Sequence, residues 1–275
     1  MVALPGHLSM NEYISILPAT MYRAFNTINC DWSQLSGQSA ATKHASNKSA
    51  VKASLDSFIK DGIVDGTKLG AKWFPTIKAD VFISHAHDDE DAALNCASWL
   101  KSEFGIESFI DSCVWGHADD LLKMIDNKYC LNEGRDTYSY EKRNQSTSHV
   151  HMMLVTALTE MIDAAECTFF INTLNSITSE EAVSKTKSPW LFYELGVMRT
   201  LRRKVPQRLQ ILKEDFSFGT TKKAAELKVE YVVPLSELTP LSVAQLNTWR
   251  KKSESSSIQG LSALDLLYED CPETK

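Results

Sequence analysis

Two spacings of apolar residues alternate along the chain. Between residues 79 and 235, short β-branched and aromatic runs trade places with stretches whose apolar positions recur every three or four residues. Asp80-Val81-Phe82-Ile83-Ser84 is the first such run and predicts a buried strand. Ala93, Ala97, Leu100 and Phe104 then form a helical stripe closed by Gly105, and Glu107 to Asp111 predicts a second strand. After a loop from Ser112 to Gly116, a weaker helix is expected around Ala118 to Asp126. Residues 128–148 are polar and turn-rich and read as an insertion. A helix from His149 to Glu166 precedes the third strand, Cys167 to Ile171. Leu209 to Leu212 and Glu230 to Val233 are the expected fourth and fifth strands. A strand–helix–strand unit with a short return implies parallel pairing, so the core is predicted to be an α/β fold with a five-stranded parallel sheet.

The flanks are patterned differently. In residues 1–78, Met10, Tyr13, Leu17, Met21 and Phe25 fit one helical stripe, and Val51, Leu55, Phe58 and Ile59 a second, ended by Gly62. A Ser-, Ala- and Lys-rich stretch separates them. This region is read as a helical N-terminal extension. Residues 236–275 carry helical patches at Leu241 to Trp249 and Leu261 to Tyr268, a helical C-terminal extension.

One helix organises the chemistry. In Ser188-Pro189-Trp190-Leu191-Phe192-Tyr193-Glu194-Leu195, Ser188 is a natural N-cap and Pro189 fits the first helical position. The helix is expected to run to Lys204, before Pro206. Trp190 and Glu194, four residues apart, share a face with Val197, Met198 and Leu201. A carboxylate on an inward apolar face is costly unless paired or needed, so Glu194 demands an explanation.

Composition narrows the classes. With 275 residues, 43% hydrophobic and 23% charged, the chain can build one sizeable core plus an accessory region. A net charge of -6 with no dominant basic patch disfavours nucleic acid as a partner. No apolar run is long enough to span a bilayer, and MVALPGHLSMNEY lacks the layout of a signal peptide. Six scattered cysteines without a C-x-x-C pair read as free thiols, which points to a cytoplasmic setting. His85-x-His87 and His149-x-His151 diverge at that spacing and are joined by no Cys or His cluster, so no metal is expected.

In order along residues 79–235, D-V-F-I-S-H, F-I-D and S-P-W-L-F-Y-E-L resemble the motifs of a TIR (Toll/interleukin-1 receptor) domain. The nearest likeness is to bacterial TIR enzymes of antiphage defence, of the Thoeris type. The resemblance implies a flavodoxin-like fold. It also implies cleavage of NAD at the nicotinamide–ribose bond, giving nicotinamide and linear, cyclic or conjugated ADP-ribose. Glu194 takes the catalytic position of the family's helix glutamate. NAD is then a substrate, and no cofactor is implied. A homo-oligomer and a downstream effector sensing the nucleotide product are the implied partners.

The chemistry suits such residues. The departing pyridine leaves neutral, while positive charge develops on the ribose, and one carboxylate in a water-poor pocket can stabilise it. Ser84 and His85, after the first strand, are placed to meet ribose or phosphate. Trp190 can wall the pocket and Trp115 can stack a base. Asp111 can touch substrate or cap a turn. Glu194 also admits a purely structural reading, as a carboxylate bonded to neighbouring backbone or to an arginine. Two other functions stay open: a non-catalytic TIR adaptor acting by self-association, and a nucleoside ribosyltransferase-like enzyme. The absence of G-x-G-x-x-G after the first strand argues against a dinucleotide-binding hydride-transfer enzyme.

Overall fold

The computed structural model describes residues 23–36, 55–60, 63–112, 118–134, 136–180, 183–186, 188–200, 231–232, 235 and 238–272. Five strands, β1 (Arg23–Ile28), β4 (Val81–Ser84), β5 (Ser108–Phe109), β6 (Cys167–Asn172) and β10 (Thr239–Leu241), form an all-parallel sheet. Its order is β10-β1-β6-β4-β5. The expected α/β class and five-stranded parallel sheet are therefore observed, consistent with a flavodoxin-like arrangement.

Alternation along the strands divides the core between two faces, because successive side chains of a strand point opposite ways. Val81, Ile83, Phe169 and Ile171 face one layer, made by α1 (Trp32–Ser36), α3 (Glu90–Phe104), α7 (Val243–Ser256) and α8 (Leu261–Asp270). Phe82, Phe109 and Phe170 face the other, made by α2 (Gly66–Trp73), α4 (Ala118–Tyr129), α5 (Tyr140–Ala164) and α6 (Pro189–Thr200). In the first layer the Phe104 and Trp249 rings stack with centroids 3.8 Å apart. Gly105 closes α3 in the left-handed region, at φ 69°, where a side chain would be strained.

Four sequence expectations fail. Phe25 lies in a strand at the middle of the sheet, not on a helical stripe. The strand was hidden because Asn26 and Thr27, polar yet buried, break the apolar run expected of a parallel strand. Their polarity is accommodated locally: Thr27 Oγ1 donates to the Phe170 carbonyl at 2.8 Å, and Asn26 Oδ1 accepts from Asn172 Nδ2 at 2.9 Å. Second, the edge position beyond β1 is filled by Thr239–Leu241. Tyr231–Val232 (β9) instead joins Thr178–Glu180 (β7) and Val183–Thr186 (β8) in a separate antiparallel sheet. Leu209 to Leu212 lie outside the described residues, as do the stripe from Met10 to Met21 and most of the spacer after it.

Third, residues 128–148 are not a loose insertion. Ser139 caps α5, which begins at Tyr140 rather than His149, and Leu131 and Tyr138 form an antiparallel bridge between α4 and α5. Asp126 anchors the turn, accepting from Arg143 Nε at 2.8 Å and Ser146 Oγ at 2.5 Å. Polar sequence concealed an amphipathic helix whose first turns bury little but Ser146 and Val150. On the amino-terminal flank, Leu55–Phe58 forms one 3-10 turn. The hairpin of Ile59–Lys60 (β2) and Ile63–Val64 (β3) and then α2 follow it, in place of a continuing stripe.

Candidate functional site

The chain after β4 leads to α3 on one face of the sheet, and the chain after β6 leads to α6 on the other. Adjacent strands whose connections leave on opposite faces open a crevice at their carboxyl ends, the usual ligand position in such sheets. β4 and β6 are that pair here.

α6 delivers Glu194 to this crevice. Its start behaves as its sequence predicts, with Ser188 Oγ accepting from Leu191 N at 3.2 Å. Leu191, Leu195 and Met198 bury against the sheet. Tyr193 ties the helix to α5, donating to the Val155 carbonyl at 3.3 Å and bonding the Thr159 hydroxyl. Held this way, Glu194 is 2% exposed, and its Oε2 accepts a 2.5 Å hydrogen bond from Ser84 Oγ at the tip of β4. Among the described residues no cation pairs with it. Burial pushes the Glu194 carboxyl well above its ordinary range; the nearby Asp111 charge adds to the shift, and the Ser84 bond only partly opposes it.

Asp111 and His85 complete the cluster. His85 is buried; its Nε2 bonds Ser112 Oγ at 3.0 Å, and its Nδ1 lies 3.8 Å from Asp111 Oδ1. That separation is beyond hydrogen-bond reach, so Nδ1 makes no hydrogen bond among the described residues. The Asp111 side chain keeps 32% of its surface exposed. Desolvation in the crevice raises its carboxyl, Glu90 raises it further, and His85 acts the other way.

A second polar knot closes the far side of the crevice. Asp89 is buried and accepts from Thr173 Oγ1 at 2.5 Å and Asn175 Nδ2 at 2.8 Å, fixing the turn after β6 to the start of α3. Asp89 is thus a buried tie and not a solvated helix-start acid. Its sequence signal was present in the polar run after the third strand, Asn172-Thr173-Leu174-Asn175-Ser176, which supplies the donors.

Four of the six expected site residues therefore converge: Glu194, Ser84, His85 and Asp111. His85, with a side chain 2% exposed, is placed to hold Asp111 and Ser112 rather than to meet a ligand. Trp190 is half-buried, and its ring packs edge-on against His151 of α5, with centroids 5.5 Å apart. Trp115 lies outside the described residues. Among the described residues, no group of three His, Cys, Asp or Glu is placed to hold a metal ion, and no helix is long and apolar enough to cross a membrane.

A separate groove of about 590 Å³ lies between α2 and α5. Gly66 and Gly70 allow Met153 to approach there, and the groove's titratable residues, His149 and Glu160, are exposed. None of the strand-tip residues lines it. Comparison with known protein families, with curated proteins and with solved structures finds no match to this chain.

Proposed function

We propose that the chain is a TIR-domain enzyme that cleaves NAD at the nicotinamide–ribose bond, with Glu194 as the catalytic carboxylate. The observation that carries this reading is the Glu194 carboxyl itself: buried, bonded to Ser84, paired with no cation among the described residues, and set at the crevice between β4 and β6. A structural carboxylate would have been expected to find an arginine or several backbone donors.

The local charge suits a cationic substrate. The Asp111 charge acts on Glu194, and the Glu90 charge acts on Asp111. Burial favours the protonated form of Glu194, and a positive charge beside it favours the ionised one. The pyridinium ring of NAD supplies that charge and favours the ionised form. As the glycosidic bond stretches, nicotinamide departs neutral and the positive charge passes to C1′ and the ring oxygen of the ribose. A carboxylate in a dry pocket stabilises it without waiting for solvent to reorganise. Ser84 orients Glu194 through the 2.5 Å bond.

Incubating the protein with NAD and following nicotinamide by mass spectrometry tests the reading, with Glu194→Gln as control. Equal turnover by the variant would remove Glu194 from catalysis. On the TIR-type motif order we further propose that the activity serves cytoplasmic antiphage defence. There the enzyme works as a homo-oligomer and makes an ADP-ribose-derived signal for a downstream effector.

One observation supports a ribosyltransferase as a second reading. Asp111 is a second carboxylate near the first, as enzymes that pass a ribosyl group to an acceptor use. Product analysis with deoxynucleosides in place of NAD separates the two.

A further inference from the structure

We propose that Asp111 is the second catalytic carboxylate of this site, the base that takes the proton of the acceptor hydroxyl or water attacking the ribose. The inference rests on the NAD-cleaving reading and deepens it, because it concerns the half of the reaction that follows loss of nicotinamide.

The two acids occupy unlike positions. Glu194 is sealed, with 2% of its surface exposed, and leans on a hydroxyl of β4. Asp111 follows β5, at the neighbouring strand tip, and keeps 32% of its side chain open. An acceptor entering from solvent therefore reaches Asp111 first, while a sugar carbon deep in the crevice lies with Glu194.

His85 is built to aim the open acid. Its Nε2 is fixed at 3.0 Å by the Ser112 hydroxyl, one residue along from Asp111, which leaves Nδ1 facing the Asp111 carboxylate at 3.8 Å. A buried imidazole nitrogen without a hydrogen bond is uncommon, and here the group it faces is the Asp111 carboxylate. His85 is thus a positioning residue, acting through Asp111. Burial and the Glu90 charge favour the protonated form of Asp111, while His85 and its local backbone hydrogen bonds oppose them. A carboxylate whose proton affinity is raised is a better base near neutral pH.

The balance is complete. The C1′–N bond breaks and its electron pair leaves with nicotinamide. The acceptor oxygen bonds to C1′, and its proton passes to an Asp111 oxygen and then to solvent. Water as acceptor gives ADP-ribose, and a hydroxyl gives a conjugate or a ring.

The test is nicotinamide release and product mass for wild type, Asp111→Asn, Asp111→Glu and Glu194→Gln, each with and without sodium azide. Azide attacks without giving up a proton, so it replaces a missing base but not a missing stabiliser of the sugar cation. Asp111→Asn is expected to be slower by about 100-fold or more. Azide should restore at least about 10-fold of that and yield ADP-ribosyl azide. Asp111→Glu should keep most of the activity, and Glu194→Gln should ignore azide. An Asp111→Asn variant that turns over as fast as wild type, or that is slow and indifferent to azide, overturns the role of Asp111 while leaving NAD cleavage standing. A wild-type protein that releases no nicotinamide overturns both.

Discussion

The two ends of the sheet each bury an ionisable side chain, and they treat it in opposite ways. At the amino end of β1, Arg23 is 4% exposed and donates to the carbonyls of Tyr268 and Cys271 and to Thr239 Oγ1. Its guanidinium also lies over the Phe25 and Tyr268 rings, 5.1 and 5.4 Å from their centroids. A cation at the last carbonyls of α8 is where the helix dipole favours it. At the carboxyl end, Glu194 is as deeply buried and has one hydroxyl. One end satisfies its charge and joins elements distant in sequence. The other offers a single hydroxyl among the described residues and leaves a carboxyl out of its ordinary range. On the proposed function, the contrast is that between a group retained for architecture and one retained for chemistry.

The contrast can be broken by exchange of single residues. Glu194→Gln should lower nicotinamide release by about 100-fold or more while the variant melts no lower than wild type, because an amide at that site carries no ionisation to suppress. Nicotinamide release and thermal unfolding, measured on the same preparation, check both halves. Arg23→Met should do the reverse. Three acceptors lose a charged donor, which costs about 3 kcal/mol and lowers the melting temperature by roughly 8 °C. Turnover per folded molecule should be unchanged.

Dependence on pH sharpens the comparison further. The Glu194 carboxyl, ordinarily near 4.5, is raised in the folded chain. Below its ordinary value both folded and unfolded chains hold the proton. Above it the unfolded chain releases the proton while the folded chain keeps it, so stability falls as pH rises through the folded value. Urea midpoints should therefore show Glu194→Gln gaining on wild type as pH is raised above about 5. A constant gap from acid to alkali would show that burial does not shift the carboxyl. The smallest expected effect is that of Asp89→Ala, which frees the turn after β6 at about 1–2 kcal/mol. It should raise KM for NAD more than it lowers kcat.

Most of the core was legible because its strands are strongly patterned. Val81 to Ser84, Cys167 to Asn172, α3 with its Gly105 stop and α6 with its Ser188-Pro189 start all appear where the periodicity places them. β1 was not legible, since buried Asn26 and Thr27 make a central strand look like a surface one, while Phe25 happens to continue a helical spacing from Met21. β10 is three residues with a proline in the middle, a signature tolerated at a sheet edge and invisible to a search for apolar runs. At the site, Glu194 stood out as an acid among apolar neighbours. The involvement of Asp89 did not, because an aspartate at a helix start has a sufficient local reason to be there.

Placing β1 between β6 and β10 has a consequence for how the protein comes into being. Phe25 pairs with Phe169 on one side and with Thr239 on the other. β1 precedes the other described strands in the chain, and its partners β6 and β10 are translated much later, so loop closures of that span are slow. The scaffold that lines up the carboxyl tips is finished only when its latest strand arrives.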